Sequence, residues 1–303
     1  MWALRYRRYL YLYGWTCVHI LGCAPYEGIN LSKAFPKMKK KVGIYGFTGC
    51  AGDQLTIIHS EDKLLPFFNK VEIVSFSMAK SNNEECELDI AFIEGSITTE
   101  EQKNKIIEIR ERTSILVPIG VCACFGGIQS MKLGDRKYKE RYNKVYGSKK
   151  ITIDTAFESE PINTFVKVDY CIPGCPISSQ QFFSVFTKLI NDFRPVLYSF
   201  PVCTECKWHE NLCLLTEKNL PCLGPITRAG CGAVCLDHSI PCVGCWGPVD
   251  EANVAYEAKL FLEQGFSPEE IIQKFRIFGG RASQKLVKNL IGKKDRKGID
   301  DEF

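Results

Sequence analysis

The sequence predicts an α/β protein, with a mostly parallel sheet in the first two thirds and a cysteine-rich, loop-dominated region after it. Three observations carry this. Short apolar runs alternate with helical spacing from Met38 to Leu197, the pattern of βαβ units. The alternation stops near Tyr198, where Pro, Gly and Cys dominate until Pro248. Ten of the 16 cysteines fall after Lys167, which no average composition explains. The chain accordingly divides into an N-terminal extension (1–37), a sheet domain (38–197) and a cysteine-rich domain (198–303).

The elements follow in order. The extension, "MWALRYRRYLYLYGWTCVHILG" at its start, is basic and aromatic and resembles a signal segment. Its apolar stretch is broken by Cys17 and His19, and it lacks a convincing small-residue cleavage site. The expectation is a start at Met38, which would leave Cys17 and Cys23 without a role. Strands are expected at Val42–Phe47, Val71–Phe76, Leu88–Ile93, Ile115–Val121 and Val166–Cys171. Helices are expected at Gln54–Phe68, closed by Pro66 and Asn69, at Thr98–Arg112 with Thr98 or Thr99 as N-cap, and at Ser178–Asp192. Two more, Ala252–Gln264 and Pro268–Phe275, precede a solvated tail, "KKDRKGIDDEF".

Bulk properties exclude several classes. A length of 303 residues at 45% apolar content allows a sizeable core. A net charge of +4 is mild and argues against a nucleic-acid binder. No run of 18 apolar residues offers a membrane span.

The cysteines carry the chemistry. Cys203, Cys206, Cys213 and Cys222 are spaced C-x2-C-x6-C-x8-C, and Cys231, Cys235, Cys242 and Cys245 are spaced C-x3-C-x6-C-x2-C. Eight thiols in two sets of four fit two four-ligand centres. A disulfide scaffold is the weakest reading, since such scaffolds are short and core-poor. Zinc ribbons use a longer, regular gap between C-x2-C pairs. Here Leu, Ile, Val, Pro and Trp246 fill the intervals, and apolar shielding suits an iron–sulfur cluster. His209 and His238 could replace a thiol, but a full set of eight favours them as surface histidines. Cys50, Cys122 and Cys175 each fall just past a strand's carboxyl end, beside glycines. Ligands of open α/β sheets bind at those ends, so the three suggest one convergent site.

The ordered motifs "TGCAGDQL", "AFIEGS", "GVCACFGG", "YCIPGCP", "PVCTEC", "PCLGPITRAGC" and "PCVGCWG" resemble the small subunit of cytoplasmic [NiFe] hydrogenases. Within that family they are most similar to sulfhydrogenase delta and methyl-viologen-reducing (F420-non-reducing) gamma subunits. The resemblance spans about Lys41 to Gly280. It implies a cytoplasmic electron-transfer subunit with a flavodoxin-like first domain and three [4Fe–4S] clusters. The proximal cluster would lie on Cys50, Cys122 and Cys175, the medial on Cys231, Cys235, Cys242 and Cys245, and the distal on Cys203, Cys206, Cys213 and Cys222. The implied partners are a large subunit, which performs the H2 chemistry, and a flavoprotein, ferredoxin-like or heterodisulfide-reductase-type acceptor subunit. No nucleic acid and no integral membrane segment are expected.

One position departs from the family pattern. Where a second cysteine is usual in the first loop, this chain has Asp53, expected as the fourth proximal ligand, with Cys124 and Cys171 as alternatives and helix capping as the ordinary role. Glu94, in "IEGS", could serve proton or subunit contacts, though capping or solvent exposure is the plainer reading. Two other classes stay open: a cluster-bearing subunit of a complex I-like quinone oxidoreductase, and a zinc-bearing interaction module.

Overall fold

The structure, a computed structural model, describes residues 39–131, 138–147 and 156–290, the last eleven (280–290) by their backbone alone. The extension, with Cys17, Cys23 and Met38, and the charged tail lie outside the described residues.

Among the described residues there are six strands: β1 (Lys40–Gly46), β2 (Val71–Phe76), β3 (Leu88–Glu94), β4 (Ile97–Thr99), β5 (Thr113–Ile119) and β6 (Ala156–Glu160). Four form a parallel sheet in the order β2-β1-β3-β5, the doubly wound arrangement expected of alternating strands and helices. The pair β4 and β6 is antiparallel and was not expected from the sequence, because β4 is only three residues long.

Both sheet faces are covered, which is why β3 reads "LDIAFIE" with little alternation of polarity. Ile90 and Phe92 point to one core, with Phe182, Phe183 and Phe186. Ala91 and Ile93 point to the other, with Ile106 and Ile109.

The expected helix Gln54–Phe68 is two helices, α1 (Gly52–Ile58) and α2 (Glu61–Phe68). Ser60 divides them. Its hydroxyl donates to the Thr56 carbonyl at 2.8 Å, and its own carbonyl accepts from Lys63 and Leu64, so one residue ends a helix and starts the next. Pro66 lies inside α2 and Asn69 caps it.

Helix α3 (Glu100–Glu111) is capped by Thr99, whose hydroxyl accepts from the Gln102 amide. The short α4 (Gly120–Phe125) follows β5 directly, so Val121 is helical and not part of the strand. Helix α5 (Tyr138–Tyr146) precedes β6, and α6 (Ser179–Ile190) fills most of the expected Ser178–Asp192, with the Ser178 hydroxyl accepting from the Gln181 amide as its cap.

The expected strand Val166–Cys171 does not form. That segment runs beside β5, with Asp169 and Ile172 amides donating to the Leu116 and Pro118 carbonyls, but only Ile172 makes a bridge. Pro118 on β5 has no N–H to return, so a regular ladder cannot develop on that edge.

Beyond Tyr198 the chain is not all loop. It holds α7 (Val202–Trp208), α8 (Leu214–Glu217), α9 (Val234–Asp237), α10 (Val254–Glu263) and α11 (Pro268–Leu290). The last runs past the expected end at Phe275, because Gly279 and Gly280 weaken a helix without breaking it and α11 packs on α4 and the turn Gly127–Ser130. A third core, with Leu214, Leu215, Leu223, Val254, Phe261 and Phe275, encloses several of the cysteines. Among the described residues no helix is long and apolar enough to cross a membrane.

Phe182 is fully buried and its ring meets those of Phe92, Phe183 and Phe186. Phe182→Ala should cost about 3–5 kcal/mol, read as a shifted urea midpoint at unchanged slope.

Candidate metal-cluster site

The loops after β1, β3 and β5 meet at the carboxyl end of the sheet. The first two are zipped together: the Phe47 amide donates to the Glu94 carbonyl at 2.8 Å, and Thr48 and Ser96 exchange backbone hydrogen bonds at 3.1 and 2.8 Å. Gly95 permits this approach. A side chain there would stand 2.8 Å from backbone atoms of Phe47 and Thr48, at a φ of +86°.

Cys50 lies exposed at the tip of the first loop. The Gly52 amide donates to its sulfur at 3.4 Å. Asp53 and Glu94 are buried beside it. Glu94 accepts from the Asp53 amide at 3.1 Å and from the Gln54 side chain at 2.5 Å. It therefore caps α1 from the neighbouring strand, the capping half of the sequence expectation, and does not face solvent.

Asp53 does not cap its own helix. Its Oδ1 accepts from the Ile177 amide at 2.8 Å, which ties the first loop to the loop that carries Cys175. Its Oδ2 lies where a side chain on Gly120 would fall, 1.7 Å from that position. Burial first, and the charge of Glu94 after it, raise Asp53 to about 7 against the opposing Ile177 amide.

Cys122, on α4, and Cys175 complete this group. Cys122 is pushed up to about 12, by burial first and then by Cys175, Asp53 and Cys50. Cys175 is raised by burial, then by Asp53 and Cys50. The three strand-end thiols and Asp53 are thus mutual neighbours, as the sequence suggested. Cys124 and Cys171, the alternative fourth ligands, are instead joined to each other in a disulfide. Their sulfurs are occupied by one another.

The eight later thiols remain unpaired and fall into two groups. Cys203 is raised to about 12 by burial and then by Cys222, Cys206 and Cys213. Cys245 is raised to about 12 by burial and then by Cys231 and Cys235, and Cys242 is raised by burial, with Cys222 and Cys245 adding to it. Cys203, Cys206, Cys213 and Cys222 are thus neighbours, Cys231, Cys235 and Cys245 are neighbours, and Cys242 borders both Cys222 and Cys245. Because the buried thiols hold their protons, a metal that takes them as thiolates must release protons on binding.

The groups touch in a definite order. Cys245 feels Cys175 of the strand-end group, and the Cys242 amide donates to the Cys222 sulfur at 3.3 Å. The Cys231–Cys245 set therefore lies between the other two. Nowhere among the described residues do three metal-binding side chains converge on the position of a single ion. Glycines instead bring backbone close to several of the thiols. A side chain on Gly224 would sit 3.2 Å from the Cys203 sulfur and 3.5 Å from that of Cys222. One on Gly127 would sit 2.7 Å from the sulfur of Cys122. Grouped cysteine thiols approached by glycine backbone are the soft donor set that suits an iron–sulfur cluster.

His209 hydrogen-bonds Asp237 at 2.9 Å on the surface, and His238 is exposed, so both behave as the surface histidines expected. Two acids were missed. Glu205 accepts from the Gly230 amide at 3.0 Å and lies 3.8 Å from the Cys231 sulfur. Glu257 is buried beside Cys203 and Cys222 with Oε1 unpartnered. A signal existed for the second: Val254, Glu257, Ala258 and Phe261 form the buried stripe of α10, so an acid occupies an apolar position.

Residues 50–189 match the family model for the NADH ubiquinone oxidoreductase 20 kDa subunit. The chain is 34% identical over 238 residues to the sulfhydrogenase 2 subunit delta of Pyrococcus furiosus, covering 78% of this chain and 98% of that one. It is also 34% identical over 242 residues to a vhu-type subunit of the F420-non-reducing hydrogenase of Methanocaldococcus jannaschii, covering 70% and 83%. The actinobacterial-type NiFe-hydrogenase of Ralstonia eutropha H16 shares the fold, with a TM-score of 0.50 at 17% identity over 88% of this chain and 94% of that one.

Burial raises Glu257 to about 7 from an ordinary 4.5. Between those values the folded chain holds a proton that the unfolded chain has released, so stability falls as pH rises from about 4.5 to about 7. From pH 4.5 to 8 the native chain should lose about 1–3 kcal/mol more than Glu257→Gln in urea titrations. Identical pH profiles would mean that this carboxyl is not held neutral.

Proposed function

This chain belongs to the hydrogenase small-subunit family, and on that premise we propose that it carries electrons between the Ni–Fe site of a separate large subunit and a redox partner. Three [4Fe–4S] clusters would be held by Cys50, Asp53, Cys122 and Cys175, by Cys231, Cys235, Cys242 and Cys245, and by Cys203, Cys206, Cys213 and Cys222. Clusters of this kind supply one-electron transfer at potentials set by burial and by hydrogen bonds to sulfur. The observation that carries the reading is the succession of thiol groups, from Cys175 to Cys245 and from Cys242 to Cys222.

The chain's own residues do three things in this reading. The Gly52 and Cys242 amides direct N–H groups at the sulfurs of Cys50 and Cys222, the kind of hydrogen bond to sulfur that tunes a cluster's potential. Leu214, Leu215, Leu223, Phe261 and Trp246 exclude water from the later groups. Asp53 offers a carboxylate beside Cys122 and Cys175, a harder donor than sulfur. Cys50, exposed at its loop tip, would face the large subunit. The outer end, Cys203–Cys222, would face a flavoprotein, ferredoxin-like or heterodisulfide-reductase-type subunit. The reading places the complex in the cytoplasm. The NADH ubiquinone oxidoreductase model ends at residue 189, ahead of all eight later thiols, so that alternative leaves them without a task.

Anaerobically purified protein should contain about twelve iron and twelve sulfide per chain. Zinc without sulfide would assign the thiols to a zinc module instead. The isolated chain should show no hydrogen uptake.

Asp53→Asn keeps an acceptor for Ile177 but is a poorer ligand, so it should degrade the proximal EPR signal, whereas Asp53→Cys should retain four irons there. Unchanged signals in both variants would leave Asp53 only its structural bond to Ile177.

A further inference from the structure

In "CAC" Cys124 follows Cys122 by two residues, and in "CIPGC" Cys171 precedes Cys175 by four. Each therefore stands next to a member of the strand-end group, on one of two separate segments. The structure joins them in a disulfide across 47 residues of sequence, with Cα atoms 6.1 Å apart. All the other described cysteines are free thiols.

The two segments are held together without that bond. The Ile172 amide donates to the Pro118 carbonyl at 3.0 Å, Gly120 to Ile172 at 2.9 Å, and Val121 to Gly174 at 2.8 Å. Opening the disulfide leaves the two sulfurs neighbours, positioned to close again. Both cysteines line a cavity of about 170 Å³ walled by Pro118, Phe125, Leu197 and Arg228, which gives a small molecule room to approach. Cys124 is buried while Cys171 is half-buried, so Cys171 is the sulfur an incoming group meets.

We propose that Cys124 and Cys171 are a reversible thiol–disulfide site, served through this cavity by low-molecular-weight thiols and disulfides, whose closed state fastens the Cys122 segment to the Cys175 segment. Opening begins when the thiolate of a small reductant attacks the Cys171 sulfur. The Cys124–Cys171 bond breaks, Cys124 leaves as a thiolate and takes a proton from solvent, and Cys171 carries the mixed disulfide. A second small thiolate attacks that adduct, releasing the small disulfide and leaving Cys171 to be protonated. Two reductant thiols are oxidised and one protein disulfide is reduced to two thiols. Closing is the reverse, driven by the oxidised small molecule. That this tie steadies cluster ligands rests on the function proposed above; the exchange itself does not.

The test uses the full chain, cycled anaerobically between reduced and oxidised glutathione, with maleimide labelling and peptide mass spectrometry. Both thiols should label after reduction, a Cys124–Cys171 cross-linked peptide should return after oxidation, and the cycle should repeat. Cys124→Ser exposed to oxidised glutathione should carry one glutathionyl adduct on Cys171. The oxidised native chain should melt about 8 °C above the reduced one, and Cys124→Ser should show no such difference. A cross-link that survives reduction, or one that never forms, overturns the proposal. So does loss of iron in Cys124→Ser, which would make the pair cluster ligands. The labelling reads the same whether or not the chain holds iron, so failure of the electron-transfer reading is recognised separately, by the absence of iron and sulfide.

Discussion

The amide of Asp53 donates to Glu94, and the carboxylate of Asp53 accepts from Ile177. Through these two bonds the end of β3, the start of α1 and the loop after Cys175 are held at one place. Burying two neighbouring carboxyls is costly, and it shows in Asp53, which burial and then the charge of Glu94 raise to about 7. Gly120 is part of the same constraint, since any side chain there would strike the Asp53 carboxylate. The spacing of Cys50, Cys122 and Cys175 follows from this arrangement.

The later cysteines are organised differently. Here short helices and turns wrap an apolar core in which Cys206, Cys222 and Cys242 are themselves buried members. Burial holds most of these thiols protonated, so the metal-free region behaves as a neutral, greasy interior and acquires charge only as ligands are taken up. The two parts of the chain lock where Gly247 meets the ring of Phe125 and where α11 lies against α4. A side chain at Gly247 would fall 2.3 Å from that ring.

Much of this is legible in the sequence. Alternating apolar runs gave the parallel sheet, and the position of Cys50, Cys122 and Cys175 just past strand ends placed them together, because a parallel sheet sends all its carboxyl ends one way. The spacing of the eight later thiols separated them into their two groups. What stayed hidden was tertiary. Ser60 divides a helix through a hydroxyl bond that periodicity cannot show. Pro118 spoils a strand that is not its own. Cys124 and Cys171 are distant in sequence and meet only because the chain returns along β5. Glu94, at the end of β3, and Asp53, in the first turn of α1, are both buried, and nothing in the sequence shows that burial.

The spatial order of the thiol groups differs from their order along the chain. The inner group closes at Cys175, the outer group at Cys222, and the group between them only at Cys245. A ribosome therefore releases both ends of the row before its middle, and α11, which packs on α4, emerges after all three groups. Synthesis alone cannot fill the row from one end to the other. Any metal delivered during translation would meet two separated groups of thiols, and the link between them would form only once Cys245 has emerged.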